Sequence, residues 1–318
     1  MSQIRFRDWA HFRSRDFIAV SVAAKTYDGY RKEVLAFFDW GYGLGYRLDA
    51  SLSNADQLLC MYLHWLAPVR GKGACATVLS GFVLFFPAVK DRLPACHATL
   101  RGIMRAMPVK QHLPVTWQVA VLIAFYQVAR GGMRYAAATL LCHHCMLRIS
   151  ECLRLVAGDV FDVGTPLLGG INTGMVLRLG KTKVGRVQSV TVDDPHVQRL
   201  LRLLLRHTPR HARLFPFTDN AFRRTMAEAS IAFGFGTIFK PHGLRGGGAT
   251  WHYMRYRDVT ATKQRGRWAS DSSLRVYLQE AEMAFLSARV PDRVLRFGFI
   301  LARDLYPMLI AFHNTLTQ

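Results

Sequence analysis

Apolar side chains recur at helical spacing through the first third of the chain. In residues 23–45, Tyr27, Tyr30, Val34, Leu35, Phe37 and Phe38 share one helical face, and Gly41, Gly43 and Gly45 predict where that helix ends. Two further helices are predicted over Ala55–Leu66 and Ala74–Phe86, with Pro68 and Pro87 as stops. The pattern then breaks. Pro108 and Pro114 bracket a basic, polar segment, and Thr116 is a good N-cap for the apolar run that follows. A domain boundary is expected here, dividing residues 1–110 from 111–318.

The second part opens with helical periodicity to about Leu155. The period then changes to two in Gly174–Gly180 and Arg186–Val192, short alternating runs separated by Lys181–Gly185, which predicts a β-hairpin. After Asp194 the pattern is helical again nearly to the end. The expected fold class is therefore mainly α with one small antiparallel sheet (α+β): a helical domain followed by a mostly helical one. No internal repeat or low-complexity tract interrupts this reading.

Charge changes the picture more than composition does. The 318 residues are 51% hydrophobic and 20% charged, as in a globular protein. Lys and Arg number 42 against 21 acidic residues, a formal charge of +21. Such an excess repels itself unless a polyanion shares the surface, and nucleic acid and an anionic membrane are the two candidates. The basic residues are spread out, with local groups at Arg5, Arg7, Arg13 and Arg15 and at Arg202, Arg206, Arg210 and Arg213. That distribution favours a protein that wraps a duplex over one with a single basic tail. The most apolar segment, Thr116 to Met146, carries Gln127, Arg130 and Arg134, so buried helices are expected rather than a membrane span. The first residues show no apolar run of the signal-peptide kind. The six cysteines lack a disulfide-framework spacing, which predicts reduced thiols in an intracellular protein.

The candidate chemistry lies in the second part. Arg148 sits in the run LLCHHCMLRISECLRL, with Glu151 three residues on, within reach of the guanidinium on a helix. His242 and Arg245 form the group PHGLRGGGAT, Trp268 lies in RGRW, Tyr277 in SSLRVYLQE, and Lys181 and Lys183 occupy the predicted hairpin turn. This order resembles the tyrosine recombinase and integrase family (the Cre-like phage integrases): Arg, a hairpin Lys, His-x-x-Arg, His or Trp, then Tyr. The intervals of nine residues from Trp268 to Tyr277 and twenty-three from Arg245 to Trp268 are similar to the family's, as are the flanks LRISECLRL and HGLRGGGAT. KTYDGYRKEVLAFFDWGYGLG resembles the opening helix of its core-binding domain, and LPVT the start of its catalytic domain. The resemblance spans nearly the whole chain.

What the resemblance implies is specific. The N-terminal part would be a helical, SAM-like core-binding domain that closes with the catalytic domain as a clamp around double-stranded DNA. Tyr277 would attack a backbone phosphate and form a 3′-phosphotyrosine, whose stored bond energy lets a second strand religate without ATP. Arg148 and Arg245 would hold the non-bridging oxygens bidentately and stabilise the charge of the transition state. His242 would contact the phosphate or help deprotonate Tyr277. A hairpin lysine would protonate the departing 5′ oxygen: Lys183 matches the Cre-like alignment, whereas counting back from Arg186 favours Lys181. Glu151 would orient Arg148. Trp268 stands where many members have His, and its indole N–H donates a hydrogen bond but moves no proton. No metal or cofactor is required. The protein would act as a homo-oligomer, a tetramer on paired DNA sites.

Two features argue for weighing alternatives. Gly246, Gly247 and Gly248 follow Arg245 where larger residues are commoner, and a glycine-rich helix start predicts a less rigid site. Cys142, His143, His144 and Cys145 invite a zinc reading, yet four adjacent residues on a helix face too many directions to close on one ion, and the cysteines read as packing residues. The competing functions are a type IB topoisomerase-like enzyme, which acts as a monomer, and a domesticated DNA-binding protein without catalysis. The segment after Tyr277, with Phe285, Leu286, Val290, Val294, Leu295, Phe297 and Ile300, is apolar enough for a helix exchanged between protomers, which favours a recombinase.

Overall fold

The structure, a computed structural model, describes residues 21–49, 51–107, 112–162, 174–180, 188–280, 284 and 290–317. The chain divides into two compact units, Met1–Lys110 and Gln111–Gln318.

The first unit is built on α1 (Ala24–Gly43), α2 (Ala55–Phe85) and α3 (Pro94–Ala106), with a 3-10 turn at Pro87–Arg92. The apolar face of α1 packs Val34 and Phe37 against Leu59, Tyr62, Leu63 and Phe82 of α2, and Cys96 of α3 joins the same core. Gly45 turns the chain away at φ 80°, a conformation that disfavours side chains. The two helical stretches expected here are both present within α2, but the break between them falls at Gly71 (φ 76°, ψ 171°) and not at Pro68, which the first stretch runs through. Proline forfeits only the bond to the carbonyl four residues earlier, whereas that backbone geometry is open to glycine alone, so the break falls there. Glu33 is nevertheless buried in this unit, held by a two-pronged pair with Arg70 at 2.7 and 2.8 Å.

The second unit is organised around α4 (Trp117–Ala129). Thr116 caps it as expected, its hydroxyl accepting the Val119 N–H at 3.3 Å. Residues Val119 to Ala124 of α4 are all buried, because a helix apolar on every side must be covered on every side. Its neighbours are the next helix, α5 (Met133–His144), and four from far along the chain: α8 (Asp219–Ala232), α9 (Pro241–Tyr256), α12 (Asp292–Arg303) and α13 (Leu305–Thr317). Between these lie the short α6 (Ile149–Cys152), the sheet, α7 (Pro195–Arg206), α10 (Val259–Gly266) and α11 (Asp271–Arg275).

The predicted hairpin is β2 (Met175–Leu179) against β3 (Gln188–Val192), antiparallel with Met175 opposite Val192 and Leu179 opposite Gln188. A third strand, β1 (Val160–Asp162), pairs antiparallel with β2 and completes the order β1-β2-β3. Met175, Leu177 and Leu179 alternate onto the core face, as a half-buried sheet requires. The turn carrying Lys181 and Lys183 lies outside the described residues.

The apolar positions after Tyr277 divide. Val290 is buried in the core of its own unit together with Leu301, Leu305 and Leu309, and Val294 and Leu295 are partly covered there. Phe297 and Ile300 face outward with Phe299, while Phe285 and Leu286 lie outside the described residues. Among the described residues no helix is long and apolar enough to cross a membrane.

Candidate active site

Arg148 is the N-cap of α6, and its placement follows from that role. Its backbone N–H donates to Glu151 Oε2 at 2.9 Å while its Nη1 donates to Glu151 Oε1 at 2.6 Å. Three residues is the spacing at which a helix's first turn returns a carboxylate to its cap. The Glu151 side chain is 7% exposed and that of Arg148 is 33% exposed, so the carboxylate is buried while the guanidinium keeps an open side. Burial would raise the Glu151 pKa, but the Arg148 N–H, the charge of Arg267 and the Arg148 guanidinium outweigh it and hold the carboxyl below its ordinary value.

Arg245 is embedded differently. It lies on α9 with no solvent exposure, and its Nη1 donates to the Met146 carbonyl and its Nη2 to the Gly266 carbonyl at 2.7 Å. Met146 is left-handed (φ 50°) at the turn between α5 and Arg148. The guanidinium carbon sits 4.3 Å from the centre of the Trp268 ring and 5.8 Å from that of Tyr277. Burial, and then the charges of Arg148 and Arg267, push the Arg245 pKa down to about 10, which still leaves it charged at neutral pH. Trp268 thus serves here as a wall for the guanidinium: its ring face carries the negative lobe that a cation seeks.

Tyr277 follows α11, its N–H bonded to the Leu274 carbonyl at 2.7 Å. Its ring is 4.9 Å from that of Trp268, and its hydroxyl lies 3.0 Å from His242 Nε2. The Thr250 hydroxyl, on α9, is 2.9 Å from the Tyr277 carbonyl and accepts the Gln279 N–H at 3.2 Å, pinning the backbone on both sides of the tyrosine. His242 stands in the first turn of α9, edge-on to His112 with ring centres 5.6 Å apart. Partial burial, followed by the charges of His112, Arg245, Arg148 and Arg223, lowers the His242 pKa below the ordinary 6.5. At neutral pH its imidazole is therefore uncharged, and Nε2 can accept the phenol proton.

The glycine run is part of this construction and not a loose point in it. Residues 241–256 are helical throughout. A Cβ on Gly247 would fall inside the Val115 carbonyl, and one on Gly248 inside that of His143. The glycines let α9 touch the 113–115 segment and the end of α5, which positions His242 and Arg245 against Arg148. The expectation of a less rigid site overlooked these contacts, which only tertiary structure brings together.

Arg148, Glu151, His242, Arg245, Trp268 and Tyr277 thus converge, while Lys181 and Lys183 lie outside the described residues. The zinc reading fails on direction. His143 Nε2 donates to the Val115 carbonyl at 3.0 Å, His144 Nε2 accepts the N–H groups of Asp193 and Asp194 at 3.0 and 3.2 Å, and the cysteines are core residues. Burial drives these imidazoles down to about 4 and about 3, so both are neutral. Among the described residues no group of His, Cys, Asp and Glu could hold a metal. Sequence reasoning missed Thr250, His112 and Arg267; of these, only Arg267 carried a signal, as a second arginine in RGRW next to Trp268.

The phage integrase family model matches residues 116–283, more than half of the chain. No curated protein matches the sequence. Among solved structures, the chain is similar to XerH site-specific recombinase bound to a palindromic difH substrate in a post-cleavage complex (15% identity, TM-score 0.52, 73% of this chain and 70% of that one). It is also similar to Tn1549 transposon integrase in complex with transposon right end DNA (17% identity, TM-score 0.51, 73% and 85%). At these identities the structures establish a shared fold, and the family model carries the assignment. The chain belongs to the phage integrase family and is a tyrosine site-specific recombinase.

Proposed function

We propose that this recombinase cleaves and rejoins double-stranded DNA with Tyr277 as the nucleophile. The observation that carries the reading is the Tyr277 hydroxyl 3.0 Å from a neutral imidazole, with the Arg245 guanidinium 5.8 Å from the phenol ring and the charge of Arg148 acting on the same imidazole. The phenol gives its proton to His242 Nε2, and its oxygen attacks the phosphorus. As that bond forms, the bond from phosphorus to the 5′ oxygen breaks, and the leaving oxygen takes a proton from Lys183 or, failing that, Lys181. The product is a 3′-phosphotyrosine and a free 5′ hydroxyl. Attack by the 5′ hydroxyl of a second strand reverses the steps and restores Tyr277. Arg148 meets the phosphate through its open side. Arg245 adds positive charge from behind, where low dielectric makes it effective without exposure. Glu151 orients Arg148.

The excess of 42 basic over 21 acidic residues supports association with DNA, and so does the binding of DNA by the XerH and Tn1549 relatives. Assembly as a homo-oligomer on paired sites would use the outward face of α12, where Phe297, Phe299 and Ile300 are exposed. The test is a nicked suicide substrate made from the DNA flanking the coding sequence. The wild-type chain should accumulate a covalent adduct, and Tyr277→Phe should form none while binding the duplex with nearly unchanged affinity. An adduct formed by the phenylalanine variant would remove Tyr277 from the mechanism.

A further inference from the structure

Arg267 is a third arginine in the site. It sits one residue before Trp268 in the left-handed conformation (φ 60°, ψ 40°), which turns its side chain back into the domain. That side chain is 6% exposed. Its Nη2 donates to Glu151 Oε2 at 3.0 Å, the same oxygen that accepts the Arg148 N–H. The guanidinium also lies 3.4 Å from the carbonyls of Cys145, Arg265 and Met146. Met146 is the residue whose carbonyl holds Arg245. One side chain therefore joins the 145–148 turn, the Glu151 helix and the loop that carries Trp268.

A buried carboxylate shared by two arginines is a specific arrangement. Glu151 offers two oxygens. With Arg267 on Oε2, the carboxylate cannot swing to take a fork-on-fork grip of Arg148, a geometry that would turn both Arg148 Nη groups inward and away from a phosphate. The side chain of Arg148 is engaged by Glu151 through Nη1. We propose that Arg267 is a positioning residue for strand cleavage: by occupying Glu151 Oε2, it sets the carboxylate so that Arg148 keeps a free edge toward the scissile phosphate. Arg267 itself is too enclosed to meet the DNA. The inference rests on the phosphate-holding role of Arg148 proposed above.

The experiment measures the single-turnover rate of covalent adduct formation on the nicked substrate at saturating duplex, together with the duplex concentration giving half-saturation and the melting temperature. The proteins are wild type, Arg267→Met, Arg267→Lys, Glu151→Gln, the Arg267→Met/Glu151→Gln double variant and Arg148→Lys. Arg267→Met should slow the saturated rate roughly tenfold to a hundredfold, the scale of a small misplacement of a catalytic group, with half-saturation unchanged. Arg267→Lys, which keeps a charge on Glu151, should recover most of the rate. In the Glu151→Gln background, Arg267→Met should add little, because residues that act through one another are not additive.

A wild-type rate for Arg267→Met overturns the proposal. So does a loss that appears equally in binding and adds in full to Glu151→Gln, which would make Arg267 a support of the fold alone. Should Arg267→Met not fold, Arg267→Lys decides: its smaller deficit must disappear in the Glu151→Gln background, and a deficit that persists refutes the coupling. Arg148→Lys keeps the two ideas apart. If it cleaves like wild type, the phosphate-holding role of Arg148 is what has failed; if it is slow while Arg267→Met is normal, only the positioning role has.

Discussion

Arg148 and Arg245 differ in how the protein holds them. Arg148 is a helix cap with a carboxylate partner three residues away, and a third of its side chain is open to solvent. Arg245 has no exposure and is tied to two main-chain carbonyls, with an indole over its face. The Arg148 arrangement is local and directed outward. The Arg245 arrangement joins α9 to the turn at Met146 and the end of α10, so the same guanidinium that adds charge to the site also holds three chain segments together. The difference means that the one role proposed for both arginines would rest on two kinds of support. It predicts that equivalent substitutions will separate activity from stability at one position and not at the other.

The largest effect is expected at Arg245. Lysine there keeps the charge but cannot serve two carbonyls in fixed directions, so adduct formation should fall on the order of a hundredfold or more. Stability should fall with it by about 3 kcal/mol, the scale of a buried charge stripped of its partners, read as a melting temperature lowered by roughly 6–12 °C. Arg148→Lys should lose on the order of a hundredfold in cleavage as well, yet change stability by less than about 1 kcal/mol. Glu151 keeps Arg267, and the exposed side of Arg148 contributes little to folding. Equal melting temperatures for the two variants would erase the distinction.

The next effect is in pH. The His242 pKa lies below 6.5 in the folded protein, so the imidazole is neutral at pH 7 and becomes protonated only as the pH falls through that lowered value. Once protonated it cannot accept from Tyr277, and each further unit of pH should cost about tenfold in rate. His242→Gln, which cannot titrate, should be slow at neutral pH and lack this acid limb. The same limb in both proteins would assign the titration to another group. The smallest effect is expected at Trp268. Phenylalanine keeps a ring face for Arg245 with a weaker attraction, worth about 0.5–1 kcal/mol, so cleavage should drop only a few-fold. A loss near a hundredfold would mean that the indole N–H, and not its face, does the work.

These contrasts also show how much could be read from the chain. The Arg148–Glu151 pair was visible because its geometry is set by helical spacing, and the hairpin because Met175–Leu179 and Gln188–Val192 alternate. Thr116 announced its cap by residue type and by the apolar run behind it. Arg245 could be placed in the site by its motif, but its burial could not, since the carbonyls that hold it come from Met146 and Gly266, on other segments. The glycines after it read as weak points for the same reason: Val115 and His143, which need the missing side chains, are more than a hundred residues away in sequence. β1 offered three residues and no buried alternation to detect. In α2, Pro68 was the stronger breaker by residue type, yet the backbone turned at Gly71.

The central claim, that Tyr277 forms the bond to DNA, can be tested at the level of the peptide. Trypsin cuts after Arg275 and Arg289, releasing Val276–Arg289, a peptide whose single tyrosine is Tyr277. Adduct trapped on the nicked substrate, digested with nuclease and trypsin and read by mass spectrometry, should carry its nucleotide remnant on this peptide and at its tyrosine. A remnant on any other peptide, or on the serine of this one, would contradict the account.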